Sequence, residues 1–172
     1  MKKQEGEIIN RVARSPLITF DLEKYYHPGE RILLDIKNFL YEEMILIEKD
    51  FRARVKEIDW SQFKDKNVAI TCFADAIIPT WAYMLLTTQI SPYANMVVFG
   101  DLTDLEAALF QQALSKIEIE SFRDKKVVIK GCGNYPVPEF AYVEITRLLT
   151  PVVSSIMYGE PCSTVPLYKK SK

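Results

Sequence analysis

Apolar residues near the start of the chain fall into short runs separated by polar turns. Residues 17–22 and 31–36 are compact apolar runs of strand length, and turn-forming residues lie between them. Residues 48–58 instead place apolar side chains three and four positions apart, which is the spacing of a helix. We predict that residues 1–62 form a lead-in of strands and helices, including a short helix at residues 8–13.

The rest of the chain carries one pattern twice, at a constant offset of 59 residues. Residues 63–101 and 122–160 align without a gap and are identical at 11 of 39 positions. One matched segment is Pro79-Thr-Trp-Ala-Tyr83, which aligns with Pro138-Glu-Phe-Ala-Tyr142. A match of this length indicates an internal duplication, or one supersecondary unit that is used twice.

Each copy contains an apolar strand, a loop, a helix with proline at its first turn, and a second apolar strand that ends at glycine. This order predicts a βαβ crossover. Thr103 and Glu106 are spaced as a capping box for a helix between the copies. The predicted strands of a single core sheet are residues 67–71, 96–99, 126–130 and 155–158.

We therefore predict one α/β domain over residues 1–172, with a mostly parallel sheet, helices on its faces and a C-terminal arm at residues 161–172. The two copies should superpose as right-handed βαβ units in that sheet. Antiparallel pairing of residues 67–71 with residues 96–99 would contradict this prediction.

Composition and charge narrow the classes of protein to consider. Of 172 residues, 48% are hydrophobic and 26% are charged, and the net charge is −1. These values fit a globular domain and give no electrostatic reason to expect nucleic acid or an anionic membrane as a partner. The polar N-terminus is not that of a signal peptide, and three cysteines without paired spacing fit a reducing compartment. We expect a soluble cytoplasmic protein.

The longest apolar stretch, residues 76–86, is far shorter than a membrane span and is interrupted by Pro79 and Thr80. It is also more apolar than a helix exposed on one side requires. We therefore expect this stretch to be covered on both sides or to lie in the interface of a homo-oligomer.

Candidate chemistry is concentrated in the loops that follow the predicted strands. Open parallel sheets bind ligands beyond the carboxyl ends of their strands. The loops at that edge carry Cys72, Asp101, Cys132, Glu160 and Cys162. A thiol just before a helix N-terminus is favoured as a thiolate, and thiolates beside carboxylates suit zinc or an iron–sulfur species. The predicted main ligands or nucleophiles are Cys132 and Cys162, with Cys72 third and the two acids as oxygen partners.

Structural roles compete with this hypothesis at every position. A cysteine that ends an apolar strand is often a small buried hydrophobe, Asp101 is suited to cap a helix, and Glu160 is suited to a solvated position. The single histidine, His27, lies in a proline–glycine turn, and the common nucleophile, zinc-protease and phosphate-loop motifs are absent from the sequence.

Three functions stay open. The first is a cysteine-dependent accessory factor that handles a metal, an iron–sulfur species or a persulfide. The second is a non-catalytic oligomeric interaction module whose cysteines are structural. The third is a small-molecule enzyme at the carboxyl edge of the strands.

Several segments resemble a bacterial family catalogued as domain of unknown function 2480. The most distinctive is Ser155-Ile-Met-Tyr-Gly-Glu-Pro-Cys-Ser-Thr-Val-Pro-Leu-Tyr168, and Thr71-Cys-Phe-Ala-Asp-Ala-Ile-Ile-Pro-Thr-Trp-Ala-Tyr83 is a second. The likeness runs from Ile8 to Tyr168. The resemblance implies no established activity and assigns no role to any residue. It implies a genetic neighbourhood of iron–sulfur cluster assembly, so the expected partners are proteins of that assembly.

Overall fold

A computed structural model describes residues 17–131 and 133–171, and the helix predicted at residues 8–13 lies outside this part. The described residues form seven strands and four α-helices. None of these helices is long and apolar enough to cross a membrane. In chain order they are β1 Leu17–Asp21, β2 Arg31–Asp35, α1 Glu48–Glu57, β3 Asn67–Thr71, α2 Thr80–Ile90, β4 Met96–Phe99, α3 Leu102–Leu114, β5 Lys126–Lys130, α4 Glu139–Leu149, β6 Ser155–Glu160 and β7 Ser163–Lys169.

The described residues divide into two compact units. The central unit is His27–Ala113, and the terminal unit combines the described residues up to Tyr26 with those from Leu114 onward. The terminal unit is therefore built from two stretches of chain that are far apart in sequence. A single domain over residues 1–172 stays a prediction.

The central unit contains a three-stranded sheet in the order β2-β3-β4, here called the parallel sheet because both pairings are parallel. Its middle strand, β3, is apolar on both faces because helices cover both. Val68 and Ile70 face a core that includes the buried side chains of α1 and α2. Ala69, on the opposite face of the strand, packs with Leu105 and Leu109 of α3. Burial on both sides explains why β3 lacks the alternation of a half-exposed strand.

Helix α2 shows how the local sequence selects its buried face. Ala82, Leu86 and Ile90 recur every four residues and are fully buried. The N-cap position is occupied by Pro79, so the helix begins at the residue after a proline. Met84 lies on the other side of the helix and is 63% exposed. The apolar stretch that we expected to be covered or in an interface is thus buried along one face only.

The terminal unit contains a four-stranded sheet in the order β1-β5-β6-β7, here called the mixed sheet. The pairings β1–β5 and β5–β6 are parallel, and β7 returns antiparallel to β6 through a tight turn. The buried face of α4 consists of Ala141, Ile145 and Leu149. These are the positions of the α2 stripe shifted by the repeat offset.

The duplication is visible in the backbone of both units. Each copy is a strand, a helix and a second strand paired in parallel with the first. Asp65 and Asp124, at equivalent positions before the first strand, both have positive φ, at 60° and 56°. Their amides donate to the carbonyls of Tyr93 and Val152, also equivalent, at 3.0 and 2.8 Å. The parallel pairing agrees with the sequence, while superposition and right-handedness stay predictions.

The prediction of one core sheet was wrong, because the two copies contribute to different sheets. The lead-in strands account for the division. Leu17 of β1 pairs with Lys126, and Arg31 of β2 pairs with Asn67, which is the equivalent position in the other copy. Each copy therefore takes one lead-in strand as its neighbour. The local apolar pattern predicts which residues form strands, but it does not predict which strands pair with each other.

The C-terminal arm also differs from the prediction, because residues 163–169 form strand β7. This strand makes the sheet mixed rather than parallel. Pro166 interrupts its apolar pattern, and the register shifts between Ile156 and Met157 of the partner strand. Proline and a bulge are features of edge strands, which weaken the sequence signal for a strand.

Substitution of Leu86 by alanine tests the core of the central unit. Because Leu86 is fully buried, the variant should lose about 2–5 kcal/mol of unfolding free energy through lost burial and the cavity left behind. Val143→Ala, at the equivalent exposed position of α4, is the matched control and should change stability by less than about 1 kcal/mol. Chemical denaturation followed by circular dichroism measures both. Equal effects would contradict the assigned helix orientations.

Candidate functional site

Three parallel strands of the mixed sheet end in charged residues that interact with one another. The ammonium of Lys130, at the end of β5, lies 3.6 Å from Asp21 Oδ2 and 3.5 Å from Glu160 Oε1, at the ends of β1 and β6. The two carboxylates raise the pKa of Lys130, and Asp21 contributes the larger effect. Such partly exposed pairs add little stability, but they join the ends of three strands.

The loop after β5 is held by a carboxylate from the other end of the chain. Glu23 accepts hydrogen bonds from the backbone N–H groups of Gly133 and Asn134, the latter at 2.9 Å. Its own N–H donates to Asp21 Oδ1 at 3.2 Å, so the acid at the end of β1 fixes the segment that holds the loop. A Cβ at position 133 would lie 2.5 Å from Glu23 Oε1. A side chain at this position would therefore displace the Glu23 carboxylate from the loop amides.

An open cleft of about 660 Å³ lies beside this loop. The residues that line it include three tyrosines and both glycines of the loop: Gly131, Gly133, Tyr135, Val137, Tyr142 and Tyr158. The rings of Tyr142 and Tyr158 meet edge to face, with centroids 5.8 Å apart. Tyrosine offers both an apolar ring and a hydroxyl, so this lining suits a small organic ligand.

Two of the five predicted site residues, Glu160 and Cys162, are described at the carboxyl end of β6. Glu160 ends β6, and the exposed thiol of Cys162 lies in the turn between β6 and β7. Cys132 is outside the described residues, but Gly131 and Gly133 on either side of it both line the cleft. The terminal unit thus contains two of the three cysteines, on segments that follow neighbouring strands.

Cys72 belongs to the central unit, where it directly follows β3. Its half-buried thiol is free and donates a weak hydrogen bond to the Ala74 carbonyl at 3.9 Å. Asp35 lies close by and accepts a hydrogen bond from the Phe73 amide at 3.2 Å. The pKa of Tyr83 is raised, first by burial and then by the negative charges of Cys72 and Asp35. That Cys72 faces the same cleft as the other cysteines stays a prediction.

Asp101 has a structural role that the geometry makes explicit. Its Oδ1 accepts hydrogen bonds from the amides of Thr103 and Asp104, at 2.7 and 3.1 Å. Asp104 Oδ2 in turn accepts a hydrogen bond from the Asp101 amide at 2.8 Å, which completes a reciprocal cap for α3. The predicted capping box of Thr103 and Glu106 was therefore wrong by two residues. Glu106 instead pairs with Arg31 of β2.

Contrary to our expectation, no helix among the described residues begins directly after any of the three cysteines. The dipole acts within the first turn of a helix, but α2 begins only at Thr80 and α4 only at Glu139. A strand rather than a helix follows Cys162. Within residues 17–131 and 133–171, no three His, Cys, Asp or Glu side chains are grouped to hold a metal ion.

Sequence reasoning missed Asp21, Glu23 and Lys130. A usable signal was present, because Asp21 and Asp35 end the two lead-in strands in the same way. Each also accepts a hydrogen bond from the amide two residues later, at 3.2 and 2.9 Å. An acidic residue repeated at two strand ends indicates a common structural role, which here is to cap a short 3₁₀ helix.

The fold is that of an α/β protein whose described residues form one parallel and one mixed sheet, with a candidate ligand site at the carboxyl edge of the mixed sheet. The chain belongs to the family described as protein of unknown function DUF2480, whose family model matches residues 6–170. This confirms the resemblance noted in the sequence. No curated protein and no solved structure matches the chain.

Replacement of Asp101 tests the cap of α3. Asp101→Ala should lower the midpoint of thermal unfolding by a few degrees, while Asp101→Asn should retain most of the stability because asparagine also caps helices. The hydrogen bonds hold the pKa of Asp101 below its ordinary value of 3.8. The stability that this carboxylate contributes is therefore complete above pH about 5 and is lost as the pH falls through the lowered pKa.

The control for this test is Glu160→Ala, at the equivalent position of the other copy, where a hairpin turn follows instead of a helix. That variant should leave the unfolding midpoint nearly unchanged. Thermal melts from pH 2 to pH 7 measure all three variants. An Asp101→Ala melt equal to that of the wild type at neutral pH would contradict the capping role.

Proposed function

We propose that the protein is a cysteine-dependent accessory factor that handles a metal, an iron–sulfur species or a persulfide through Cys132 and Cys162. The observation that carries this proposal is the ion pair between Lys130 and Glu160, 3.5 Å apart. It joins the ends of β5 and β6, and the two cysteine-bearing segments continue from these strands.

The position of each cysteine relative to this ion pair supports a shared site. Cys132 follows Lys130 by two residues, and Cys162 follows Glu160 by two residues. Segments that leave neighbouring parallel strands at the same edge start close together. Two thiolates with the carboxylate of Glu160 would be a suitable ligand set for a soft metal, and two thiols also suit transfer of a sulfane sulfur.

The exposure of Cys162 and the charges near it support a protein that passes its bound metal or sulfur to another protein rather than one that stores it. Cys162 is exposed in its turn, so another protein can reach its sulfur without unfolding the hairpin. Among the described residues of this edge, Asp21 and Glu160 flank the ammonium of Lys130, and the carboxylate of Glu23 binds the loop after β5, so three carboxylates accompany one ammonium group. An acidic edge attracts cations more than it lowers a thiol pKa. Proteins of iron–sulfur assembly are the partners this role requires, and the cytoplasm is the compartment that would keep the thiols reduced.

A second candidate function rests on the tyrosines of the cleft. Tyr135, Tyr142 and Tyr158 create a concave, largely apolar surface, which a bare metal ion does not need. Binding of a small organic molecule, with or without catalysis, would use this surface. Native mass spectrometry of the purified protein would then detect the ligand, and Tyr142→Ala would release it while both cysteine variants would retain it.

Analysis of protein purified without oxygen tests the first proposal. The wild type should contain near-stoichiometric metal, labile sulfide or sulfane sulfur, because the proposed site would bring two thiols and a carboxylate to one edge. Cys132→Ser and Cys162→Ser should each lose most of it. The matched control is Cys72→Ser, which removes the half-buried thiol of the central unit and should retain the content. Elemental analysis and a labile-sulfide assay measure all four proteins.

Two results would contradict the thiol site. One is wild-type protein that contains neither metal nor sulfur when it is purified from cells without oxygen. The other is a content that all three serine variants retain. Circular dichroism of the variants separates loss of ligand from loss of folding.

A further inference from the structure

The two βαβ units differ at the outer edge of their last strand. In the mixed sheet, β7 pairs antiparallel with β6 and covers that edge. In the parallel sheet, β4 is the last strand, and no strand within residues 17–131 and 133–171 pairs with its outer side. The same position of the repeat is thus covered in one unit and open in the other.

Strand β4 lacks the usual protection of an open edge. Natural edge strands carry charges, proline or bulges that prevent pairing with another chain. Strand β7 has such features, because it contains Pro166 and ends at Lys169. By contrast, β4 has the sequence Met96-Val-Val-Phe99, with no charge and no proline. In the part of the chain that the structure describes, no strand occupies its outer backbone groups.

An apolar surface adjoins this edge. Phe99 is 72% exposed and Met84 of α2 is 63% exposed. Tyr83 contacts the Phe99 ring edge to face, with centroids 5.1 Å apart. Threonines of α2 complete the groove, namely Thr80, Thr87 and Thr88. The groove is lined by apolar and hydroxyl groups only, with no charged residue.

The other copy of the repeat indicates what covers such a surface. Tyr158, the equivalent of Phe99, is only 38% exposed and pairs with Val165 of β7. Val143, the equivalent of Met84, is 68% exposed. In the terminal unit, an antiparallel strand therefore covers the outer edge of the last strand of the copy.

We propose that the open edge of β4 binds a second copy of this chain, by antiparallel pairing of β4 with β4 across a twofold axis. The two parallel sheets would become one sheet of six strands. The partner's strand would cover Phe99, and the partner's α2, which has no counterpart beside β7 among the described residues, would cover Met84. A twofold interface brings equivalent patches together, so a charged patch would bring like charges together. The absence of charge from β4 and its groove fits this symmetry. The proposal does not depend on the thiol site.

Sedimentation equilibrium of the full-length protein tests the proposal. The wild type should be a dimer. Met84→Lys should weaken dimerisation by on the order of tenfold or more, because its ammonium would lose water in the interface. The matched control is Val143→Lys, at the equivalent and similarly exposed position of α4, which should leave the dissociation constant unchanged. Phe99→Arg should act like Met84→Lys.

Hydrogen exchange of the wild type gives a second measurement that needs no substitution. Dilution below the dissociation constant should speed exchange of backbone amides in residues 96–99, while amides of residues 156–159 should not change. A wild type that stays monomeric at all concentrations would overturn the proposal. A dimer that both Met84→Lys and Phe99→Arg leave intact, or whose β4 amides exchange independently of concentration, would overturn it as well.

Discussion

Parallel strand pairing is the constraint on which this structure depends. Two parallel neighbours cannot be joined by a tight turn, so the chain must cross back over the sheet. In both units the crossover is a helix that buries every fourth residue, as Ala82, Leu86 and Ile90 do in α2. The loops that begin each crossover leave the carboxyl ends of the strands. Buried faces, repeated backbone geometry and the concentration of polar residues at one edge all follow from this pairing.

The two units show how one repeat can be completed differently. In the terminal unit, a hairpin adds β7 and covers the outer edge, and the turn of that hairpin carries Cys162 beside Glu160. In the central unit, α3 follows the second strand, capped by Asp101 in the place that Glu160 holds in the other copy. The same acidic position thus serves a helix in one unit and an ion pair at the candidate site in the other.

Much of the fold was predictable from the sequence, because the repeated positions include the apolar residues that pack in the core. The strands, the crossover helices and the parallel pairing all carry local patterns. The division into two sheets has no local pattern in the sequence, because β1 and β2 are similar and their partner strands lie far away along the chain. The position of β7 was obscured by Pro166, which is tolerated only because β7 is an edge strand.

The candidate site was predictable only in part. The sequence predicted correctly that Glu160 and Cys162 follow a strand: Glu160 ends β6, and Cys162 lies in the turn after it. Lys130, Glu23 and Asp21 were missed, because their roles depend on pairing between β1 and β5, whose residues are more than a hundred positions apart. Long-range partners of this kind leave no trace in local spacing.

The central claim is that the segments after β5 and β6 bring two thiols to one edge of the mixed sheet. A short bis-alkylating bimane reagent tests this most directly, because it bridges two sulfurs only when they are close together. Peptide mass spectrometry of the reduced native protein should find Cys132 and Cys162 joined within one chain, and the bridge should disappear when the protein is denatured before treatment. Native protein in which both cysteines are alkylated singly, with no bridge between them, would contradict the account.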